Sequence, residues 1–168
     1  MENGTVYWIT GLSGAGKTTI GKLFFRRLKS EKKAVIFLDG DELRNVFGND
    51  LGYSREERMQ CAMRYSKLCQ LLSGQGHDVV ICTISMFDAI RRWNRLNIPN
   101  YKEIYIKSPM EILEQRNQKG LYSGGISYVV GIDLKLELPK NPDIELINDG
   151  SLLPDELAES LAKIFLEK

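Results

Sequence analysis

The feature that most constrains the fold is a glycine-rich segment that lies between an apolar run and a run with helical periodicity. Residues 11–18 read GLSGAGKT and match the pattern G-x-x-x-x-G-K-[ST]. The apolar run 6–9 precedes the segment, and the helix-compatible run 19–28 follows it. A glycine-rich turn without a ligand is the alternative interpretation. The strand–loop–helix context favours a phosphate-binding loop instead.

The residue types in this loop suit a nucleoside triphosphate. Glycines leave the backbone N–H groups free to wrap an anion, while the following helix directs its positive dipole end at the same oxygens. Lys17 is expected to reach the β- and γ-phosphates, and Thr18 to ligate the Mg²⁺ that bridges them. The expected ligands are ATP and Mg²⁺. The residues predicted to contact ATP here are Gly11, Ser13, Gly14, Ala15, Gly16, Lys17, Thr18 and Thr19.

Size and composition exclude several classes of protein. With 168 residues, 43% of them hydrophobic, the chain is expected to form one domain over residues 1–168. The net charge of +1 provides no basic field for a nucleic-acid polymer. The sequence shows neither a secretion signal nor a membrane-spanning run, and its three cysteines lack paired metal-ligand spacing. These features favour a cytoplasmic protein with reduced thiols.

Apolar and helical runs alternate along the chain. Strands are predicted at 6–10, 34–38, 79–84, 103–106 and 144–147, and helices at 19–28, after Ser54, and at 87–96, 109–118 and 154–166. This order predicts an α/β fold of the three-layer P-loop NTPase and kinase type, with a parallel five-stranded sheet and helices on both faces. Ligands then bind beyond the carboxyl ends of the strands. The glycine-dotted stretch 120–131 is predicted to be a mobile loop, within a lid-like segment at about 114–135.

A pair of carboxylates follows the second predicted strand. The run LDGD places Asp39 and Asp41 at the same sheet edge as the glycine-rich loop. Such carboxylates can accept the proton of an attacking hydroxyl or orient hydrated Mg²⁺. Asp-Gly is also an ordinary turn signal. Together with the loop, the pair favours a phosphoryl-transfer site.

Several motifs together resemble those of one known family. GLSGAGKTT and LDGDELR are followed by LGYSREER at 51–58, EQRNQKGLY at 114–122 and VGID at 130–133. In this order they resemble the adenylylsulfate kinase family over nearly the whole chain. The resemblance implies a P-loop kinase, usually a homodimer, that transfers the γ-phosphoryl group of ATP to the ribose 3′-hydroxyl of a nucleotide.

The resemblance also implies roles for individual residues. Asp41 takes the position of the catalytic base, Asp39 supports the metal and the geometry, and Lys17 completes the catalytic set. Arg44 and Arg58 would face the phosphate side of the acceptor.

Further positions of the resemblance fall on the lid and around the acceptor. Arg116 and Lys119 would lie over ATP, although both could instead be solvated cations near a helix end. The residues implied to contact the acceptor are Asp39, Asp41, Arg44, Tyr53, Arg58, Ile84, Ser85, Lys119, Leu121 and Val129.

The chain departs from the family pattern at the acceptor side. In the stretch that usually reads DRxEN-I-RR, Cys61 replaces the asparagine and Met63 replaces the first arginine of the pair. The usual ISPYR reads ISMFD, so Asp88 stands where an arginine is expected, although Arg91 remains. The aromatic residue of the family's FTG motif is Val129, and the segment between KGLY and GID is shorter.

These departures indicate a changed acceptor. Valine lacks the flat face that makes stacking on a base worth about 1–3 kcal/mol. A carboxylate in place of a guanidinium disfavours a dianionic acceptor. Within the family, the chain most resembles the cytidine diphosphoramidate kinase branch, whose acceptor in capsule-sugar modification has a smaller base and an uncharged P–NH₂ end. Both changes are in the direction that this resemblance implies. The alternatives are an adenylylsulfate kinase, a P-loop kinase for a sugar or small metabolite, and a catalytically silent nucleotide-binding module.

Overall fold

The computed structural model describes residues 2–31, 34–116 and 137–166. The strands are β1 Val6–Thr10, β2 Val35–Asp39, β3 Asp78–Cys82, β4 Tyr101–Lys107 and β5 Ile144–Ile147. The helices are α1 Lys17–Glu31, α2 Gly40–Val46, α3 Arg55–Gly74, α4 Asp88–Asn97, α5 Met110–Arg116 and α6 Pro154–Leu166. The strands form one parallel five-stranded sheet in the order β2-β3-β1-β4-β5. The predicted α/β P-loop fold is confirmed.

The central strand β1 is buried on both faces, so its alternating side chains enter two separate cores. Tyr7 and Ile9 pack in the core covered by α1, α5 and α6. Val6 and Trp8 pack in the core covered by α2, α3 and α4. Because helices cover both faces, the loops at the carboxyl ends of the strands remain as the place for a ligand. None of the helices in the described ranges combines the length and apolar character that a membrane crossing requires.

The sequence did not predict helix α2, which begins directly after β2. Asp39 is its N-cap, and one carboxylate oxygen accepts the N–H groups of Asp41 and Glu42 at 2.9 and 3.4 Å. Asp-Gly is also an ordinary turn signal, yet the capped segment continues as a helix of 7 residues. Asp39 therefore ends the strand, and Asp41 lies in the first helical turn.

Other boundaries follow the predictions closely. The serine-x-x-glutamate spacing of Ser54 and Glu57 predicts a capping box, and the structure has this box at the start of α3. Helix α5 ends at Arg116 in the described part of the chain, and the last two residues of the predicted helix 109–118 lie outside it. The bounds of β1, β5 and α6 agree with the sequence prediction.

A buried carboxylate on β4 supports an ion-pair cluster beneath α4. Glu103 is 2% exposed, and its carboxylate lies 2.9 Å from Nη2 of Arg95 and 3.6 Å from Nε of Arg91. We expect Glu103→Ala to lower the free energy of unfolding by about 3 kcal/mol, because Arg91 is itself buried and would lose a counter-charge. Urea denaturation measures the change.

Glu145 on the neighbouring strand β5 provides the matched control. It pairs with Lys107 at 3.2 Å, and both side chains are about half exposed. Glu145→Ala is expected to change the free energy of unfolding by less than about 1 kcal/mol, because exposed ion pairs contribute little. Equal losses from the two variants would contradict a structural role for the buried cluster.

Candidate active site

The glycine-rich loop joins β1 to α1 in a conformation that requires glycine at specific positions. Gly14 and Gly16 have φ angles of +80° and +92°, which residues with a Cβ rarely adopt. A Cβ on Gly11 would lie 2.5 Å from the carbonyl oxygen of Ile106 in β4. The backbone therefore turns tightly over the sheet edge and presents N–H groups at the amino end of α1.

Two side chains from outside the loop bind its carbonyl groups. Nδ2 of Asn148 donates to the carbonyl oxygen of Ala15 at 2.9 Å. Arg116, at the end of α5, donates to the carbonyl oxygen of Gly14 and to Oδ1 of Asn148, each at 3.4 Å. The structure thus places Arg116 beside the loop.

Asn148 was not among the predicted site residues. It directly follows β5 and is 5% exposed. Its position after the last predicted strand, at the edge where parallel strands place ligand-binding loops, was the signal that could have identified it.

Lys17 and Thr18 open helix α1 and point to different partners. Nζ of Lys17 donates to the carbonyl oxygen of Leu12 at 2.7 Å, within the loop itself. The hydroxyl of Thr18 donates to Oδ2 of Asp39 at 2.7 Å. This bond spans the end of β3, where the thiol of Cys82 donates to the carbonyl oxygen of Lys17 at 3.2 Å. The end of the glycine-rich loop and Asp39, separate in sequence, are therefore in direct contact.

The two carboxylates differ in environment. Asp39 is 8% exposed, and its oxygens are used by Thr18 and by the backbone of α2. Asp41, one turn into the helix, is exposed. The hydroxyl of Tyr65 in α3 donates to the carbonyl oxygen of Gly40 at 2.8 Å and so fixes the start of α2. The oxygens of Asp39 are therefore engaged by protein groups, while Asp41 is the more exposed of the two carboxylates.

Three predicted acceptor residues form a group around the loop between α2 and α3, with Arg44 in α2, Tyr53 in the loop and Arg58 in α3. The guanidinium groups of Arg44 and Arg58 lie 4.4 and 5.1 Å from the centre of the Tyr53 ring, which is 55% exposed. Arg44 also donates to the carbonyl oxygens of Leu51 and Gly52 at 2.8 and 2.9 Å. Burial, together with the charge of Arg44, lowers the pKa of Arg58. Arg44 thus holds the loop, and Tyr53 presents a flat surface.

The predicted acceptor residues after β3 belong to a constrained turn. Ser85 is buried with a φ of +33°, and its hydroxyl lies 2.8 Å from that of Thr83. The hydroxyl of Thr10 donates to the carbonyl oxygen of Ile84. This turn is therefore tied to the carboxyl end of β1.

Arg91, the arginine retained in the ISMFD region, has its guanidinium in a buried cluster. It is 5% exposed and forms ion pairs with Asp88 and Glu103. Asp88 also donates its backbone N–H to the carboxylate of Glu137 at 2.7 Å. Because Asp88 and Arg91 pair with each other, the charge of Asp88 is partly neutralised within the protein.

Three predicted contact residues lie outside the described residues, namely Lys119, Leu121 and Val129. Within the described ranges, no group of three or more histidine, cysteine or acidic side chains could hold a metal ion. Cys61, Cys69 and Cys82 are free and buried. Burial raises the pKa of the Cys69 and Cys82 thiols.

A glycine-rich anion loop at the start of α1, bonded to an acidic strand end on a five-stranded parallel sheet, defines a P-loop kinase. The family model for adenylylsulphate kinase matches residues 3–147. The chain belongs to the adenylylsulphate kinase family, as its motifs predicted. It is therefore a phosphotransferase.

Individual relatives agree with this assignment. The chain is 44% identical over 143 residues to the cytidine diphosphoramidate kinase of Campylobacter jejuni, covering 83% of this chain and 84% of the relative. It is 36% identical over 167 residues to the adenylyl-sulfate kinase of Gloeothece citriformis, covering 97% and 93%. The APS kinase of Mycobacterium tuberculosis, solved in complex with AMPPNP and APS, superposes with a TM-score of 0.87 at 32% identity and 98% coverage of both chains.

Proposed function

We propose that this protein transfers the γ-phosphoryl group of ATP to the ribose 3′-hydroxyl of cytidine diphosphoramidate. The observation that carries the choice of acceptor is the 44% identity to the Campylobacter jejuni cytidine diphosphoramidate kinase. Two positions of α3 support it. Cys61 is buried, and the half-buried Met63 packs against the same core, at the positions where adenylylsulfate kinases are expected to have an asparagine and an arginine.

In this proposal, the glycine-rich loop binds the triphosphate of ATP together with Lys17 and with Arg116 of α5. Lys17 now donates to a neutral carbonyl oxygen of Leu12. A phosphate oxygen offers a stronger, charge-assisted partner, so ATP would draw the ammonium group out of the loop. Arg116 already lies beside the carbonyl group of Gly14 and would add positive charge near the transferred group.

Thr18 and Asp39 would hold Mg²⁺ together with the phosphates of ATP. Their oxygens are 2.7 Å apart, and the threonine uses its single proton on Asp39, which leaves its lone pairs available to a cation. Mg²⁺ prefers oxygen ligands and is usually bound through one or two carboxylates plus substrate phosphates. When bound, the ion would neutralise charge on the phosphate oxygens.

Asp41 is the proposed general base. It is exposed in the first turn of α2, where a ribose hydroxyl can approach it. Asp41 accepts the proton of the 3′-hydroxyl while the ribose oxygen forms a bond to the γ-phosphorus and the bond to the β,γ-bridging oxygen breaks. Asp39 keeps Asp41 in position through the bond from the Asp41 N–H. Catalysis is then mainly positioning and charge stabilisation.

The family resemblance extends the proposal to the cellular context. We propose that the enzyme works as a cytoplasmic homodimer and that its product enters the biosynthesis of capsular polysaccharide phosphoramidate. The main competing function is adenylylsulfate kinase, which the 36% identity to the enzyme of Gloeothece citriformis over nearly the whole chain favours.

Phosphorus NMR tests the proposed acceptor directly. The purified protein is given Mg²⁺ and ATP with either cytidine diphosphoramidate or adenylylsulfate, and the new 3′-monophosphate signal is followed. We expect cytidine diphosphoramidate to react at least about tenfold faster than adenylylsulfate. The loss of one specific contact with the poorer substrate lowers transition-state binding by about 1.4 kcal/mol or more. A faster reaction with adenylylsulfate would reject the proposed acceptor. ATP consumption only with a sugar or another small metabolite would indicate a different kinase. If no acceptor led to ATP consumption, the protein would be a catalytically silent nucleotide-binding module.

A further inference from the structure

We propose that Asn148 is a positioning residue of the phosphate loop, which fixes the Ala15–Gly16 peptide so that the Gly16 N–H is directed at a bound phosphate. The inference rests on the nucleotide binding of the proposed function. It is independent of the acceptor.

The hydrogen bond from Asn148 determines the orientation of one peptide plane. Its Nδ2 atom donates to the carbonyl oxygen of Ala15 at 2.9 Å, in a buried position. In a planar trans peptide, the carbonyl group of one residue and the N–H of the next point in opposite directions. Holding the Ala15 carbonyl group therefore directs the Gly16 N–H away from Asn148, on the side where the loop presents its N–H groups.

The close packing of Asn148 against the loop supports the same role. A Cβ on Gly16 would lie 2.7 Å from Nδ2 of Asn148, so the amide fills the space behind the loop. Gly16 has a φ of +92°. Because glycine has more backbone freedom than other residues, an external contact helps to hold this conformation. The amide supplies that constraint.

Asn148 is itself held on two sides. Its backbone N–H donates to the carbonyl oxygen of Lys107 at 2.8 Å, which continues the pairing of β5 with β4. Its Oδ1 atom accepts from Arg116 at 3.4 Å. Because arginine can only donate, the oxygen of the amide faces Arg116 and the NH₂ group faces Ala15. Asn148 thus links the sheet, the loop and an arginine predicted to contact ATP.

Titration of the full chain with ADP, followed by calorimetry, tests this role without a second substrate. Asn148→Leu keeps a similar volume without adding charge, but removes the donor. We expect the Kd of ADP to rise about tenfold, the effect of losing one well-placed hydrogen bond to the loop. Asn148→Thr retains a hydroxyl donor and is expected to bind ADP more tightly than the leucine variant. Asn141→Leu, at an exposed site preceding β5, is the control and should bind ADP like the wild type.

The outcomes separate the inference from the proposed function. Wild-type protein that fails to bind ADP would reject the proposed nucleotide binding itself. Wild-type affinity in Asn148→Leu, or equal losses in the leucine and threonine variants, would overturn the positioning role. Far-UV circular dichroism is recorded for each variant, and lost affinity together with a lost helical spectrum would assign Asn148 to folding and reject the inference. In turnover assays, the KM of ATP should rise while the KM of the acceptor stays unchanged.

Discussion

Asp41→Asn is expected to lower kcat by about 10²- to 10⁴-fold, the range that a positioned general base contributes. Asparagine has nearly the same shape as aspartate, and its backbone N–H can still donate to Asp39, as the Asp41 N–H does at 2.9 Å. The amide cannot accept the proton of the ribose hydroxyl. Because the loop and Thr18 are untouched, the Kd of ATP should remain close to the wild-type value. Single-turnover kinetics and ATP titration measure the two quantities separately.

Glu42 offers a matched control for this experiment. It lies next to Asp41 in the first turn of α2 and is also exposed. Glu42→Gln removes the same charge from the same helix end, where a carboxylate interacts favourably with the dipole. A similar loss of turnover in both variants would mean that the effect comes from helix stability and local charge. An unchanged kcat in Asp41→Asn would show that Asp41 is not the general base.

The fold was predictable because its signals are local. The glycine pattern, the apolar runs and the capping box at Ser54 and Glu57 each depend on a few neighbouring residues, and the structure contains all of them. Helix α2 was not predicted because local signals alone do not determine where it begins. The turn signal of Asp39 and Gly40 is local, but Tyr65, 25 positions further along the chain, also fixes the start of this helix through the carbonyl group of Gly40.

The site was only partly predictable because its supporting contacts are distant in sequence. Asn148 bonds to Ala15 across 133 positions, so its place after β5 indicates the sheet edge but does not identify its partner. The surroundings of Arg91 also depend on distant residues, because Glu103 on β4 and the nearby Asp88 engage its guanidinium group in ion pairs. Whether an arginine serves a ligand or the core depends on which acids the fold places beside it.

The acceptor side shows how the same scaffold can be adapted to another substrate. Arg44 donates to two carbonyl groups of the loop before α3, so it maintains the shape of that loop whatever ligand is present. Tyr53 contacts two guanidinium groups with its ring and remains 55% exposed. Cys61 and Met63 of α3 pack in or against the core and are not among the partners of these hydrogen bonds and ring contacts. Such a separation allows the acceptor to change while phosphoryl transfer is retained.

Lys17→Ala is expected to lower kcat by about 10²- to 10³-fold at saturating ATP, comparable to the loss of one preorganised group that stabilises transition-state charge. Nζ of Lys17 contacts the carbonyl oxygen of Leu12 at 2.7 Å, and this neutral partner can be exchanged for the phosphate oxygens of ATP. Lys22→Ala is the control, because Lys22 is an exposed lysine of the same helix and lies over the ring of Phe37.

Measuring the Kd of ATP and of ADP for Lys17→Ala then shows which phosphates Lys17 contacts. A lysine that binds the β- and γ-phosphates stabilises ATP and the transition state more than ADP, so Lys17→Ala should weaken ATP binding more than ADP binding. Equal weakening would mean that the lysine mainly maintains the loop through its contact with Leu12. A normal kcat at saturating ATP would contradict the assignment, because then the ammonium group would not contact the transferred phosphoryl group in the transition state.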